Sequence, residues 1–263
     1  MKHKEINKHQ ILAIIPARYG STRFPGKALI EINGEPMVWQ VYLRAMEAGL
    51  KNICVATDDS RIFDAVKARG ANVLMTKSTH LSGTDRCAEA LGIYLAQGNN
   101  FDFVINLQGD EPFIDPRQIL ELCNGLKKGK ITTLVKQIDN TGQLTNPNCV
   151  KAVWSKITSE ALYFSRYPIP YLRSEGRPDL ERQVYYKHIG IYGFDAKILQ
   201  ELVKLQPSPL ELSESLEQLR WLENGYRISV CETGYESFGI DSPEDLKALN
   251  NTLFAHKKNL DLL

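Results

Sequence analysis

The chain alternates short, continuously apolar runs with longer segments whose apolar residues recur every three or four positions. "ILAII" (11–15), "NICVAT" (52–57), "NVLMT" (72–76) and "FVINLQ" (103–108) have the length and continuity of buried strands. Residues 36–50, 59–70, 83–98 and 115–129 carry helical spacing instead. Pro36 falls near the start of the first helix and Gly70 ends the second. Strand and helix thus alternate four times, the pattern of βαβ units. This predicts an α/β fold with a mostly parallel central sheet and helices on both faces.

From about Ile131 the pattern changes. "ITTLVKQI", "VKAVWS" and "ALYFSRY" read as strands with no helix between them, and "HIGIYGF" as another strand. "DAKILQELVKL" and "LSESLEQLRWLENG" read as helices, "RISVCE" as a strand, and residues 242–258 as a closing helix. Ser242 suits its N-cap, with Pro243 at the first helical position and Asp245 at the third. There is no repeat, low-complexity segment or linker. The expectation is a flexible extension over 1–10 and one domain over 11–263. Within it, 131–220 forms a smaller substrate-side and dimerisation region. Residues 167–184 are expected to be surface loop.

Composition narrows the function classes. The 32 basic and 31 acidic side chains nearly cancel and are dispersed, which disfavours a nucleic-acid partner. Five widely spaced cysteines without a C-x-x-C pair disfavour a zinc knuckle and fit a reducing compartment. The polar N-terminus lacks the apolar core of a signal peptide, and no apolar stretch has membrane-spanning length. A cytoplasmic protein without a membrane partner is expected.

The chemistry concentrates after the first strand. "IIPARYGSTRFPGK" (14–27) places Arg18, Arg23 and Lys27 within ten residues, with Gly20 and Gly26 permitting close backbone approach and Pro25 stiffening the turn. In open α/β sheets, ligands bind outside the carboxyl ends of the strands. Three cations there suit a polyphosphate. The loop is not a Walker A motif: five residues separate Gly20 from Gly26, and Ala28 rather than Ser or Thr follows Lys27. The dinucleotide fingerprint is also absent.

These residues resemble the signature of the sugar-activating cytidylyltransferases, most closely the branch acting on 3-deoxy-D-manno-octulosonate (Kdo). "VATDD" (55–59), "SGTDR" (82–86), "NLQGDEP" (106–112), "ALYFSR" (161–166), "HIGIYGF" (188–194), "QPSPLE" (206–211), "LEQLR" (216–220) and "DSPEDL" (241–246) follow in the family's order. The resemblance covers Ile11 to Leu249. It implies a Rossmann-like nucleotidyltransferase fold. It also implies transfer of CMP from CTP to the anomeric hydroxyl of Kdo, releasing pyrophosphate, for lipopolysaccharide biosynthesis. Mg2+ and a homodimer are further implications.

Carried over residue by residue, the resemblance assigns Lys27, Arg18 and Asp110 to the reacting phosphates. Ala17, Arg18, Gly20, Arg23, Lys27, Ser82 and Gly83 fall on the nucleotide. Gln108, Arg166, His188, Tyr192, Glu217 and Gln218 fall on the sugar, with Arg166 and His188 as its polar and cationic side. Asp110 and Asp241 match the metal ligands, though they lie 131 positions apart. Each residue also has an ordinary reading. Ser82 and Gly83 suit a plain helix cap, Asp241 can support a helix start, and His188 or Tyr192 can be core. Glu217 and Gln218 fall off the stripe of Leu216, Leu219 and Leu222, so they can face a cleft. Lys136 and Gln137 depart from the less polar stretch expected of Kdo enzymes. Two alternatives therefore stay open: a modified or different 3-deoxy sugar acid such as an 8-amino Kdo, and a non-catalytic nucleotide-sugar-binding regulator on the same fold.

Overall fold

The first apolar run forms strand β1 (Ile11–Ala17), buried throughout except at Pro16 because the strand is covered from both sides. The computed structural model describes residues 7–20, 24–240 and 242–247. After β1 come a small hairpin of β2 (Glu31–Ile32) and β3 (Glu35–Pro36), then α1 (Met37–Glu47) and β4 (Asn52–Thr57). The chain continues through α2 (Ser60–Lys67), β5 (Val73–Met75), α3 (Gly83–Ala96), β6 (Phe103–Asn106) and α4 (Pro116–Gly125). The second half holds β7 (Ile131–Gln137), α5 (Thr141–Thr145), β8 (Lys151–Ser155), β9 (Glu160–Ser165) and β10 (Tyr186–Asp195). It ends with α6 (Ala196–Leu202), α7 (Pro209–Glu214), α8 (Gln218–Glu223) and β11 (Ile228–Glu232).

Alternation along β1 divides the core. Leu12 and Ile14 join a cluster with Cys87 and Leu91 of α3, Leu199 of α6 and Trp221 of α8. Ile11, Ala13 and Ile15 join another with Val38 and Val41 of α1, Ile62 of α2 and Leu122 of α4. Helices therefore cover both faces, and each fully buried Leu or Ile contributes roughly 1.5–3 kcal/mol.

The sheet has nine strands in the order β5-β4-β1-β6-β10-β7-β11-β9-β8. It is mixed, which corrects the expectation of a mostly parallel sheet. β5, β4, β1 and β6 are mutually parallel. β10 then runs antiparallel to both β6 and β7. β11 is parallel to β7, while β9 is antiparallel to β11 and β8. Lys187 also bridges to Lys151, so β10 touches β8 and the second half curls back on itself. The pairing of β10 with β7 shifts register between Ile189 and Tyr192.

Other differences have local causes. A short helix, α5, stands between β7 and β8, capped by the Asn140 side chain accepting from Gln143 N. The helix expected over 212–225 is broken into α7 and α8, because Ser215 adopts φ +51°. Asn33 and Gly34, both at positive φ, turn the β2–β3 hairpin, as an Asn-Gly pair prefers. Ser242 and Asp245 form the expected reciprocal cap on a helix over 243–247, and the rest of that expected helix lies outside the described residues. Lys8–Gln10 makes a short 3-10 turn from which Lys8 donates to Ala48 O. All five cysteines are free. Among the described residues no helix is long and apolar enough to cross a membrane.

Candidate active site

The carboxyl ends of β1, β4 and β6 and the start of α3 converge on one edge of the sheet, as ligand sites in open α/β sheets do. Gly26 closes the loop after β1 by donating its N–H to Tyr19 O at 2.9 Å. Its φ is +72°, and a Cβ there would lie 3.0 Å from the Tyr19 ring, so only glycine fits without strain. The ring is capped in turn by Arg61, whose guanidinium lies 3.3 Å from the centroid. Lys27 follows at the start of a 3-10 turn and reaches across the cleft to Asp110, with Nζ 2.5 Å from Oδ2. Asp110 is brought there by Gly109, where a Cβ would come within 2.7 Å of Pro16 O. Both side chains of the pair are partly exposed. Such a pair is worth at most about 1 kcal/mol, so a phosphate or cation can replace either partner at little cost.

The cleft between them has a volume of about 250 Å³. Its walls bring together Ala17, Arg18, Lys27, Ser82, Gly83, Gln108 and Asp110 from the sequence-derived set. Gln108, expected at the sugar, thus stands with the nucleotide residues. Gly20 is exposed on the same loop with open space around its Cα. Arg23 and Asp241 lie outside the described residues. Ser82 is the N-cap of α3: its hydroxyl accepts from Asp85 N while Asp85 accepts from Ser82 N. The cap aims the positive end of a 14-residue helix at the cleft, a ready anion site.

Sequence reasoning did not single out Arg86, which also lines the cleft. It is 3% exposed and ties α3 to the ends of two strands, donating to Asp58 Oδ2 at 2.9 Å and Thr76 Oγ1 at 2.6 Å. Part of its signal was present, since "SGTDR" and "VATDD" supply Arg86 and Asp58, while Thr76 closes "NVLMT". His80 was missed as well; it lines the cleft and is held by the Glu89 carboxylate, which also accepts from Lys77 N.

The sugar-side residues are arranged around α8 and β10. Glu217 meets the start of α3, where Thr84 Oγ1 donates to its carboxylate at 2.7 Å. Burial raises the Glu217 pKa, and hydrogen bonds from Thr84 and Ser82 partly oppose that rise. Glu217 therefore links the two sets. Gln218, at the start of α8, is buried at 5% exposure. Tyr192 sits between His188, tilted at 45° with its centroid 5.2 Å away, and Trp221, which meets it edge-on at 5.0 Å. Burial, then the Glu217 charge, raises its pKa, so it is a neutral phenol.

His188 is also neutral, because burial lowers its pKa to about 3. This corrects the expected cationic role. Its Nε2 lies 2.8 Å from Thr133 Oγ1, whose proton goes to Ile191 O. Nε2 therefore carries the hydrogen and donates to Thr133, leaving Nδ1 as an acceptor. Arg166 is used by the main chain: its guanidinium donates to Glu214 O, Pro147 O and Ser215 O. It holds the turn between α7 and α8 rather than pointing a free cation at a ligand.

Asp110 fits a hard cation. Mg2+ takes one or two carboxylates, waters and phosphate oxygens, and this carboxylate borders the cleft in an exchangeable pair. Ile240, the residue before Asp241, donates its N–H to Asp110 O at 2.8 Å.

The family model described as cytidylyltransferase matches residues 12–228. The chain is 50% identical to 3-deoxy-manno-octulosonate cytidylyltransferase of Parabacteroides distasonis over 245 residues, covering 90% of this chain and 96% of that one. It is 48% identical to the protein of the same name from Cytophaga hutchinsonii, over 92% of this chain and 97% of the relative. Its fold matches a CMP:2-keto-3-deoxy-manno-octonic acid synthetase complexed with CTP, at TM-score 0.83 and 40% identity, covering 94% of this chain and 99% of that one.

Proposed function

The chain belongs to the cytidylyltransferase family, and on that premise we propose that it transfers CMP from CTP to the anomeric hydroxyl of Kdo. The hydroxyl oxygen bonds to the α-phosphorus, the bond to the β-phosphate's bridging oxygen breaks, and pyrophosphate departs. The hydroxyl proton is given up to solvent. The observation that carries this reading is the Lys27–Asp110 pair facing the α3 N-terminus across the cleft, in a chain half identical to a protein named for the Kdo reaction. Lys27 and Arg18 neutralise the triphosphate, and the start of α3 adds its partial charge. Glu217, Tyr192, Gln218 and His188 supply hydrogen-bonding groups for a hydroxyl-rich sugar acid. Of the alternatives, the modified sugar acid and the non-catalytic regulator gain no support from the named relatives.

Asp110, with Asp241, would hold Mg2+. Bound there, the ion would screen phosphate charge and polarise the reacting oxygens. The residues' own part is to fix the carboxylate beside Lys27 and exclude competing geometries. Assembly as a homodimer fits the exposed apolar side chains Ile157, Leu162, Tyr167 and Tyr171 of the second half. A cytoplasmic place, feeding CMP-Kdo to lipopolysaccharide synthesis, fits a nucleotide substrate.

The test is pyrophosphate release with Mg2+, using each of the four common nucleoside triphosphates against Kdo and related sugar acids. Release that requires both CTP and Kdo supports the proposal. Nucleotide binding without release under any pairing contradicts it.

A further inference from the structure

The chain after β11 runs as irregular structure to Ile240 and is fastened along its length. Thr233 donates its N–H to Val135 O at 2.8 Å. The Tyr235 carbonyl accepts from Gln118 Nε2 at 3.0 Å, and its ring lies 3.8 Å from the Arg117 guanidinium. At the far end Ile240 donates to Asp110 O, while its buried side chain clusters with Ile32 and Met37, a cluster against which Phe24 packs. Phe24 belongs to the loop that carries Lys27. Ile240 therefore ties the Asp110 main chain to the apolar cluster against which Phe24 of that loop packs.

Between these anchors stands Glu236, which takes two lysines at once. Lys136 lies 2.9 Å from one carboxylate oxygen, and Lys187 bonds the other. The two lysines are direct cross-strand partners on β7 and β10, and Lys151 pairs with Lys187 from β8. Like charges opposite one another destabilise a sheet. Lys187 is only 7% exposed, and a buried charge left unpaired is expensive. The main compensation comes from the passing segment. Asp139 also reaches Lys136, at 3.7 Å, but it is well exposed. The polar departure at Lys136 thus acquires a use: it grips the segment.

We infer that Glu236 is a positioning residue for Asp110. Held by Lys136 and Lys187, it sets the path of the residues that follow, and Ile240 at their end fixes the Asp110 main chain and its carboxylate. The inference rests on the reading of Asp110 as a Mg2+ ligand.

The test uses Mn2+ as probe, with free ion measured by electron paramagnetic resonance in the CTP complex without sugar. Glu236→Gln is expected to weaken Mn2+ binding roughly tenfold, the size typical of outer-shell partners, with metal-free CTP binding unchanged. Lys187→Met combined with Glu236→Gln removes the buried charge together with its partner and leaves Lys136 to Asp139, so it should melt like the wild type and lose Mn2+ affinity equally. Asp110→Asn should weaken Mn2+ binding further. If both Glu236 variants hold Mn2+ like the wild type while Asp110→Asn does not, the inference is overturned and the metal reading stands. If Asp110→Asn also binds Mn2+ normally, the metal reading fails and takes the inference with it.

Discussion

The Thr84 hydroxyl donates to the Glu217 carboxylate at 2.7 Å, across 133 residues of sequence. One bond joins the helix start expected at the nucleotide to the residue expected at the sugar. Burial raises the Glu217 pKa above its ordinary 4.5, so the folded chain binds this proton more tightly than the unfolded chain. Stability is then lost as pH rises from the unfolded value through the folded one. Glu217→Gln should remove that loss. The variant is expected to melt at or above the wild-type temperature near neutral pH, with the difference shrinking toward pH 4, while its turnover falls. A lower melting temperature at neutral pH would contradict the burial argument.

His188 supplies the opposite sign. Its folded pKa of about 3 lies below the ordinary 6.5, so the unfolded chain takes up a proton first as pH falls. Stability from this group is full above about pH 6.5 and is lost below it, at up to roughly 1.4 kcal/mol per pH unit. Nitrogen NMR of the imidazole should find the Nε2–H tautomer unchanged down to pH 5. A midpoint near 6.5 would refute the enclosure of the ring.

Lys27→Ala should leave folding almost intact, because its ion pair is partly exposed. Turnover should fall by about 30- to 1000-fold, the loss of roughly 2–4 kcal/mol of transition-state stabilisation. Near-normal turnover at saturating CTP would remove Lys27 from the phosphates.

Asp110→Asn keeps the size of the side chain and removes its charge. Half-maximal turnover should then require more Mg2+, with CTP binding in the absence of metal little changed. An unaltered Mg2+ dependence would exclude Asp110 as a ligand.

Much of the first half was legible because "ILAII", "NICVAT" and "FVINLQ" are apolar on both faces, which only a covered sheet explains. The strand-end argument reached Lys27, and the family resemblance set Ser82 and Asp110 beside it, where the cleft brings all three together. Strand direction leaves no trace in periodicity, so the antiparallel entry of β10 between β6 and β7 was hidden. The break at Ser215 was hidden too, since a serine in the left-handed region is held by its surroundings, here Arg166 on the Ser215 carbonyl. Arg166 and His188 looked like ligand cations because sequence shows residue type and not the occupant of each donor. The main-chain carbonyls on Arg166 and the burial of His188 are properties of packing alone.

The most direct measurement of the central claim is phosphorus NMR of the protein with CTP, Kdo and Mg2+. The account predicts loss of the three CTP signals and growth of one phosphodiester signal from CMP-Kdo together with pyrophosphate. A sugar diphosphate with free phosphate, or CTP left unchanged, would contradict it.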